Sequence, residues 1–126
     1  MVIERRHYAR YLSHANAFAA LGRRYSIVGK IKNIALGGLA FEYLGDDSPD
    51  EEISEADIFM VGNIFHLHNI PCRIIYDFDV YVPYVNSAYV KKLTTKRCGL
   101  KFDKLPEDLA TRLMLFLEAY TRGISI

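Results

Sequence analysis

Apolar and polar residues alternate in two stretches, 25–33 and 38–44, and this two-residue period predicts half-buried β-strands. In one such stretch Ile27, Gly29 and Ile31 lie on one face, with Lys30 and Lys32 on the other. Apolar runs next to turn residues predict further strands. The predicted strands, in chain order, are 15–22, 25–33, 38–44, 57–61, 64–69 continuing through 72–80, and 97–102.

Glycine and polar residues mark the connections between these strands. Gly37-Gly38, in "NIALGG", predicts a tight connection, because glycine can take backbone angles closed to other residues. Gly62-Asn63 is a hairpin signal between two apolar runs. The acidic stretch 45–55 predicts a solvated loop. The aromatic stretch 81–93 has no clear period and is interpreted as a loop.

The last stretch, 105–122, has helical periodicity. Pro106 suits a first helical turn, Glu107 and Asp108 favour the positive end of the helix dipole, and Gly123 is expected to end the helix. One apolar stripe runs along it: Leu109, Leu113, Phe116, Leu117 and Tyr120. Strands followed by one packed helix predict a mainly β fold, a small antiparallel six-stranded β-barrel with a C-terminal α-helix as a lid.

Size and composition fit one domain with one core. The chain has 126 residues, 51% hydrophobic and 25% charged, and a net charge of +1 argues against a protein that wraps duplex nucleic acid. No apolar run approaches the roughly 18–20 residues of a membrane span, and the opening lacks the apolar centre of a signal peptide. Cys72 and Cys98 form no CxxC pair, which favours reduced, buried thiols in a cytoplasmic protein.

The sequence carries no motif that supports catalysis. It has no nucleophile elbow, no phosphate-binding GxxxxGK[ST] and no HExxH. His66 and His68 share one face of a strand, but two histidines without a third ligand are interpreted as packed or surface residues. Asp77 and Asp79 are interpreted in the same way. We therefore expect no enzyme, no metal site and no cofactor.

Positive charge is concentrated at the start of the chain, where "ERRHYAR" places Arg5, Arg6 and Arg10 in the first ten residues. Arg6 and Arg10 form an RxxxR pattern that spans up to ~13 Å when extended. Guanidinium groups bind phosphate oxygens bidentately, stack on bases and grip the O6 and N7 edge of guanine. The segment is therefore a candidate anion clamp, and the alternative is an exposed basic tail.

Together, RxxxR and "NIALGG" resemble the signature of the PilZ domain, a bacterial receptor module for cyclic di-GMP (c-di-GMP). That signature joins an early RxxxR to a [D/N]xSxxG motif between two barrel strands. Arg6 and Arg10 match the first element, and Asn33, Ala35 and Gly38 occupy the marked positions of the second. The resemblance covers nearly the whole chain, because the strands and the helix follow in the same order.

The resemblance implies an N-terminal arginine-motif segment, 1–13, and a single PilZ-like barrel domain, 14–126. It also implies a site for c-di-GMP. Arg5, Arg6 and Arg10 would hold phosphates and guanine edges, and Asn33 would offer a donor and an acceptor to a guanine. Gly38 would allow a close backbone approach.

Ala35 departs from the pattern, since the family usually has serine there. The missing hydroxyl removes a hydrogen bond worth roughly 1.5–3 kcal/mol with a charged or strongly polar partner. The affinity for the nucleotide would then fall by roughly ten- to a hundredfold. A water or the backbone amides of Gly37 and Gly38 could compensate.

Three functional hypotheses follow. The first is a c-di-GMP sensor that signals through an unidentified protein partner, with the acidic loop, the aromatic segment and the helix as candidate surfaces. The second is a degenerate PilZ-like adaptor that acts by protein–protein interaction without the nucleotide. The third is a barrel that binds nucleic acid, which the near-neutral charge disfavours.

Overall fold

A computed structural model of the chain describes residues 10–13, 16–22, 26–45, 55–62, 65–80 and 94–125. It contains eight strands and one helix within these ranges. The elements are β1 (Arg10–Ser13), β2 (Ala17–Leu21), β3 (Ile27–Ala35), β4 (Gly38–Gly45), β5 (Glu55–Met60), β6 (His66–Asp79), β7 (Thr94–Phe102), α1 (Glu107–Tyr120) and β8 (Thr121–Ser125).

Six of the strands close into an antiparallel barrel. Their order is β2-β5-β6-β7-β4-β3, and pairing of β2 with β3 closes the ring. Closure leaves no free sheet edge within the ring. The predicted six-stranded antiparallel β-barrel with a C-terminal helix is confirmed.

Strand β3 is shared between two partners on the same side. Its first half pairs with β2, as at Lys30 with Phe18, and its second half pairs with β1, as at Asn33 with Leu12. Four residues of the predicted N-terminal segment, 1–13, therefore form a strand on the barrel, and residues 1–9 lie outside the described residues. β8 pairs with the other edge of β1.

Helix α1 closes the barrel end where β7 finishes and β6 begins. Its buried residues Leu113, Phe116 and Leu117 belong to the same apolar cluster as the inward side chains of the strands. The Phe116 ring stacks on Phe65 with centroids 5.0 Å apart. This part of the predicted helical stripe is confirmed. No helix in the described part of the chain is long and apolar enough to cross a membrane.

The helix ends earlier than the sequence predicts. It spans Glu107–Tyr120, and Gly123 lies inside β8 instead of terminating the helix. The physical reason is that β1 would otherwise have an unpaired outer edge. Its backbone groups pair with β8 from Ser13–Thr121 to Arg10–Ser125.

Two predicted features concern the interior and the loops. Cys72 and Cys98 are free and fully buried, so the prediction of buried, reduced thiols is confirmed. Most of the predicted acidic loop, 45–55, and all of the aromatic segment, 81–93, lie outside the described residues.

Candidate functional site

The turn between β3 and β4 consists of two residues, Leu36 and Gly37, between the paired residues Ala35 and Gly38. The carbonyl oxygen of Gly37 accepts a 2.8 Å hydrogen bond from the Phe102 amide at the end of β7. This bond fixes the turn against a neighbouring strand, so the second predicted motif stands on a rigid frame.

Gly38 is required by the barrel itself. A Cβ atom at this position would collide with the carbonyl oxygen of Leu100 on β7. The predicted tight connection is present, but Gly37 and Gly38 have no positive φ, so the turn does not use the left-handed conformation that glycine permits. Close approach of two strands explains Gly38.

Asn33 and Ala35 lie on the face of β3 that points away from the core. Between them Ile34 is fully buried in the apolar cluster. An irregularity in the pairing with β4 falls between Ile31 and Asn33, so that both Ile31 and Ile34 can point inward. Asn33 is half-buried, whereas Ala35 is only 6% exposed.

Strand β1 brings the start of the chain to this part of β3. Tyr11 pairs with Ile34 and Leu12 with Asn33. Because the strands are antiparallel, Arg10, which precedes Tyr11, lies on the side of Ile34 where Ala35 follows. The backbones that carry Arg10 and Asn33 are thus on adjacent strands at one end of the barrel. The remaining predicted arginines, Arg5 and Arg6, lie outside the described residues.

The opposite end of the barrel holds a buried polar network. Tyr43 donates a 2.7 Å hydrogen bond to Asp77, and the ammonium of Lys96 lies 3.1 Å from the other carboxylate oxygen. Burial, and next the bond to Asp77, raises the pKa of Tyr43 well above its usual value. Asp77 and Lys96 are more than nine-tenths buried as side chains, whereas Asp79 is 70% exposed. The arrangement ties β4, β6 and β7 together.

A second polar cluster lies on the outer face of β5 and β6. Oδ2 of Asp57 is 2.9 Å from Nε2 of His66 and 3.1 Å from Nδ1 of His68. Oδ1 of the same carboxylate accepts a 2.9 Å hydrogen bond from the Asn69 amide. The two imidazole rings are stacked, with centroids 3.6 Å apart. The prediction that both histidines share one face holds, and a carboxylate joins them.

Sequence reasoning missed Asp57, although the signal was present. The predicted hairpin around Gly62 sets the strand that begins at Asp57 against the strand that carries both histidines. An antiparallel register therefore brings the carboxylate opposite the histidines. The structure has this register, with Phe59 paired with His66.

No protein-family model and no curated protein matches this sequence. Solved structures do match. The PilZ domain with c-di-GMP of YcgR from Escherichia coli is 18% identical, with a TM-score of 0.59, over 91% of this chain and 92% of that one.

Two further structures match almost the whole chain. YcgR from Escherichia coli in complex with c-di-GMP is 17% identical, with a TM-score of 0.60, over 92% of this chain. The MrkH–c-di-GMP complex of K. pneumonia is 17% identical, with a TM-score of 0.63, over 93% of this chain. This chain spans about half of those two chains, 47% and 54%. The fold is that of a PilZ domain.

Proposed function

We propose that this chain is a c-di-GMP-binding module whose site lies where β1 meets the end of β3 and the β3–β4 turn. The similar PilZ-fold structures of YcgR and MrkH are complexes with c-di-GMP. The fold alone does not specify a ligand, so the proposal depends on the residues at this place.

The register of β1 on β3 is the observation that carries the proposal. The two sequence motifs are separated by more than twenty residues, yet the pairing of Leu12 with Asn33 sets the strand that begins at Arg10 beside the strand that carries Asn33. An RxxxR segment that ends at Arg10 and an outward-facing Asn33 would then address one ligand.

Each residue has a distinct role in the proposed site. Arg10, with Arg5 and Arg6 preceding it, would bind phosphate oxygens and guanine edges, for which the planar guanidinium is suited. Asn33 would offer its amide donor and carbonyl acceptor to a guanine. The Gly37–Phe102 hydrogen bond would keep the turn in place while the ligand binds.

The proposed module has no catalytic role. The ligand would change which surface the chain presents to an unidentified protein partner, because a sensor acts by favouring one conformation over another. The cytoplasm, where we expect the chain to work, is the compartment of a soluble second messenger.

One observation favours the alternative, a degenerate adaptor that does not bind the nucleotide. Ala35 supplies no hydroxyl at the motif's serine position, and it is buried to 6% exposure beside the turn. Gly38 is also accounted for by its contact with β7 and needs no ligand to explain it.

Calorimetric titration with c-di-GMP tests the proposal on the wild type, Arg6→Ala, Arg10→Ala and Ala35→Ser. We expect saturable binding by the wild type. Each arginine variant should bind at least about tenfold more weakly, since a charge-assisted hydrogen bond is worth roughly 1.5–3 kcal/mol. Ala35→Ser should bind more tightly.

Arg112→Ala is the matched control, because Arg112 lies on α1 and contacts β6, on the other side of the barrel from β3. It removes the same charge and should leave the affinity unchanged. Binding only after Ala35→Ser would favour the adaptor. No binding by any variant would refute the site.

A short single-stranded oligonucleotide added as competitor tests the nucleic-acid hypothesis.

A further inference from the structure

We propose that Asp57, His66 and His68 form a binding site for a divalent transition-metal ion, with Zn²⁺ as the best match. The three side chains offer one carboxylate oxygen and two imidazole nitrogens, all within 4.8 Å of one another. Imidazole and carboxylate are common zinc ligands, and three protein ligands leave a fourth position for water.

The donor atoms already lie near the spacing that a metal needs. Two atoms each about 2.1 Å from a tetrahedral zinc ion are ~3.4 Å apart. Oδ2 of Asp57 stands 2.9 Å from one ring nitrogen and 3.1 Å from the other. The ion would fit if the carboxylate oxygen and the ring nitrogens moved apart by a few tenths of an ångström and the stacked rings tilted.

A β-bulge organises this cluster. The pairing of β5 with β6 shifts register between Ala56 and Ile58. Asp57 alone therefore lies opposite two residues of β6, His68 and Asn69. Asn69 takes a left-handed φ of 56° there, which asparagine tolerates better than most residues. Its amide is thereby directed at the Asp57 side chain and not at the strand ladder.

The second oxygen of the carboxylate is therefore already held. The Asn69 amide binds Oδ1, which turns Oδ2 toward both histidines. Hydrogen bonds of this kind orient the ligands of metal sites and tune their basicity. The Asp57 side chain is 9% exposed, whereas His66 and His68 are 31% and 59% exposed, so the site opens to solvent on one side.

The site is separate from the proposed nucleotide site. In the ring β6 lies opposite β3, and β2 separates β5 from β3. The carbonyl of His66 also accepts a 2.8 Å hydrogen bond from Arg112 of α1. A bound ion would link β5 to β6, and it needs no nucleotide.

The test uses the full chain, free of affinity tags and stripped with a chelator, titrated with ZnCl₂ by calorimetry. We expect one Zn²⁺ per chain and a rise in the midpoint of thermal unfolding. Co²⁺ should give the intense visible absorption of a four- or five-coordinate ion. His68→Ala should weaken Zn²⁺ binding by at least ~10–100-fold, the loss typical of a mere supporting partner. Because His68 is exposed, this variant should fold.

Two control variants locate the ion. Asp79→Asn removes an exposed carboxylate of β6 outside the cluster, and His7→Ala/His14→Ala removes the other two histidines of the chain. Both should bind Zn²⁺ as the wild type does. Absence of Zn²⁺ binding by the wild type would overturn the proposal, as would undiminished binding by His68→Ala. Loss of binding in the His7→Ala/His14→Ala variant would assign the ion to the N-terminal segment and likewise overturn it.

Discussion

Gly38 illustrates how one residue can satisfy a sequence motif and a packing requirement together. It occupies the last marked position of the [D/N]xSxxG pattern, and it also lets β4 approach the Leu100 carbonyl of β7. Asn33 differs, because it is half-buried on the outer face and no core contact requires an amide there. Asn33 therefore says more about ligand binding than Gly38 does.

We expect Gly38→Ala to lower the free energy of unfolding by about 1–3 kcal/mol, the cost typical of overpacking. The added methyl group would force β4 and β7 apart at a point where backbone, not a flexible side chain, is in the way. Urea denaturation monitored by circular dichroism measures the change.

Gly62→Ala provides the comparison for this prediction. Gly62 has a φ of 82° but open space around its Cβ position, so alanine there should cost only about 1 kcal/mol of backbone strain. If Gly38→Ala were no more destabilising than Gly62→Ala, the steric explanation would be wrong.

Among the elements, β1 depends most on its neighbours. Two of its four residues pair with β3, whereas all four pair with β8. A short strand with so few barrel contacts gains much of its pairing from the chain segment after the helix. The proposed nucleotide site would inherit this dependence, since β1 carries Arg10.

We expect deletion of residues 121–126 to expose the outer edge of β1 and to loosen the strand. Hydrogen–deuterium exchange should show faster exchange at the amides of β1, with β5 and β6 unchanged as internal references. Unaltered protection of β1 in the truncated chain would mean that β3 alone holds it.

Most barrel strands were predictable because they are alternating stretches or apolar runs with a turn signal beside them. The strand predicted at 25–33 is observed at Ile27–Ala35, and the one predicted at 38–44 at Gly38–Gly45. Local periodicity could not reveal β1 and β8, because these strands are defined by long-range pairing with each other. Their few residues contribute little pattern of their own.

The same limit applies to the candidate sites. Motif spacing alone nominated Asn33 and Ala35 as candidates, whereas the Asp57 cluster required the register of a hairpin and a bulge within it. Register is set by turn geometry together with side-chain packing across strands. A single stretch of sequence therefore does not determine it. The binding roles assigned to the predicted site residues all stay predictions: Arg5, Arg6, Arg10, Asn33, Ala35, Gly37 and Gly38.

At the scale of the whole molecule, the two ends of the barrel differ in chemistry. One end carries β1, the β3–β4 turn and the helix. The other carries the network of Tyr43, Asp77 and Lys96, which places an ion pair inside the barrel wall. The interior between them is apolar and includes both thiols. Ionisation of a buried group in this interior opposes folding.

Burial raises the pKa of Cys72 and of Cys98 to about 12 from an ordinary value of 9.0, with the Asp103 and Asp77 carboxylates as the next contributions. Above pH 9 the unfolded chain releases these protons while the folded chain keeps them. The unfolded state then binds fewer protons, so the free energy of unfolding must fall as the pH rises from 9 toward 12. Each thiol contributes a decline of about 1 kcal/mol per pH unit in that window.

Urea denaturation at several pH values between 7 and 11, under reducing conditions, measures this decline. Cys72→Ala and Cys98→Ala should each flatten the slope above pH 9 while lowering stability at pH 7 through the cavity they leave. In a variant that carries both cysteine substitutions, the free energy of unfolding should still decline above pH 10, because the pKa of Tyr43 is also raised. A slope that both cysteine substitutions leave unchanged would show that the thiols do not ionise on unfolding in this range, contrary to their burial in the barrel.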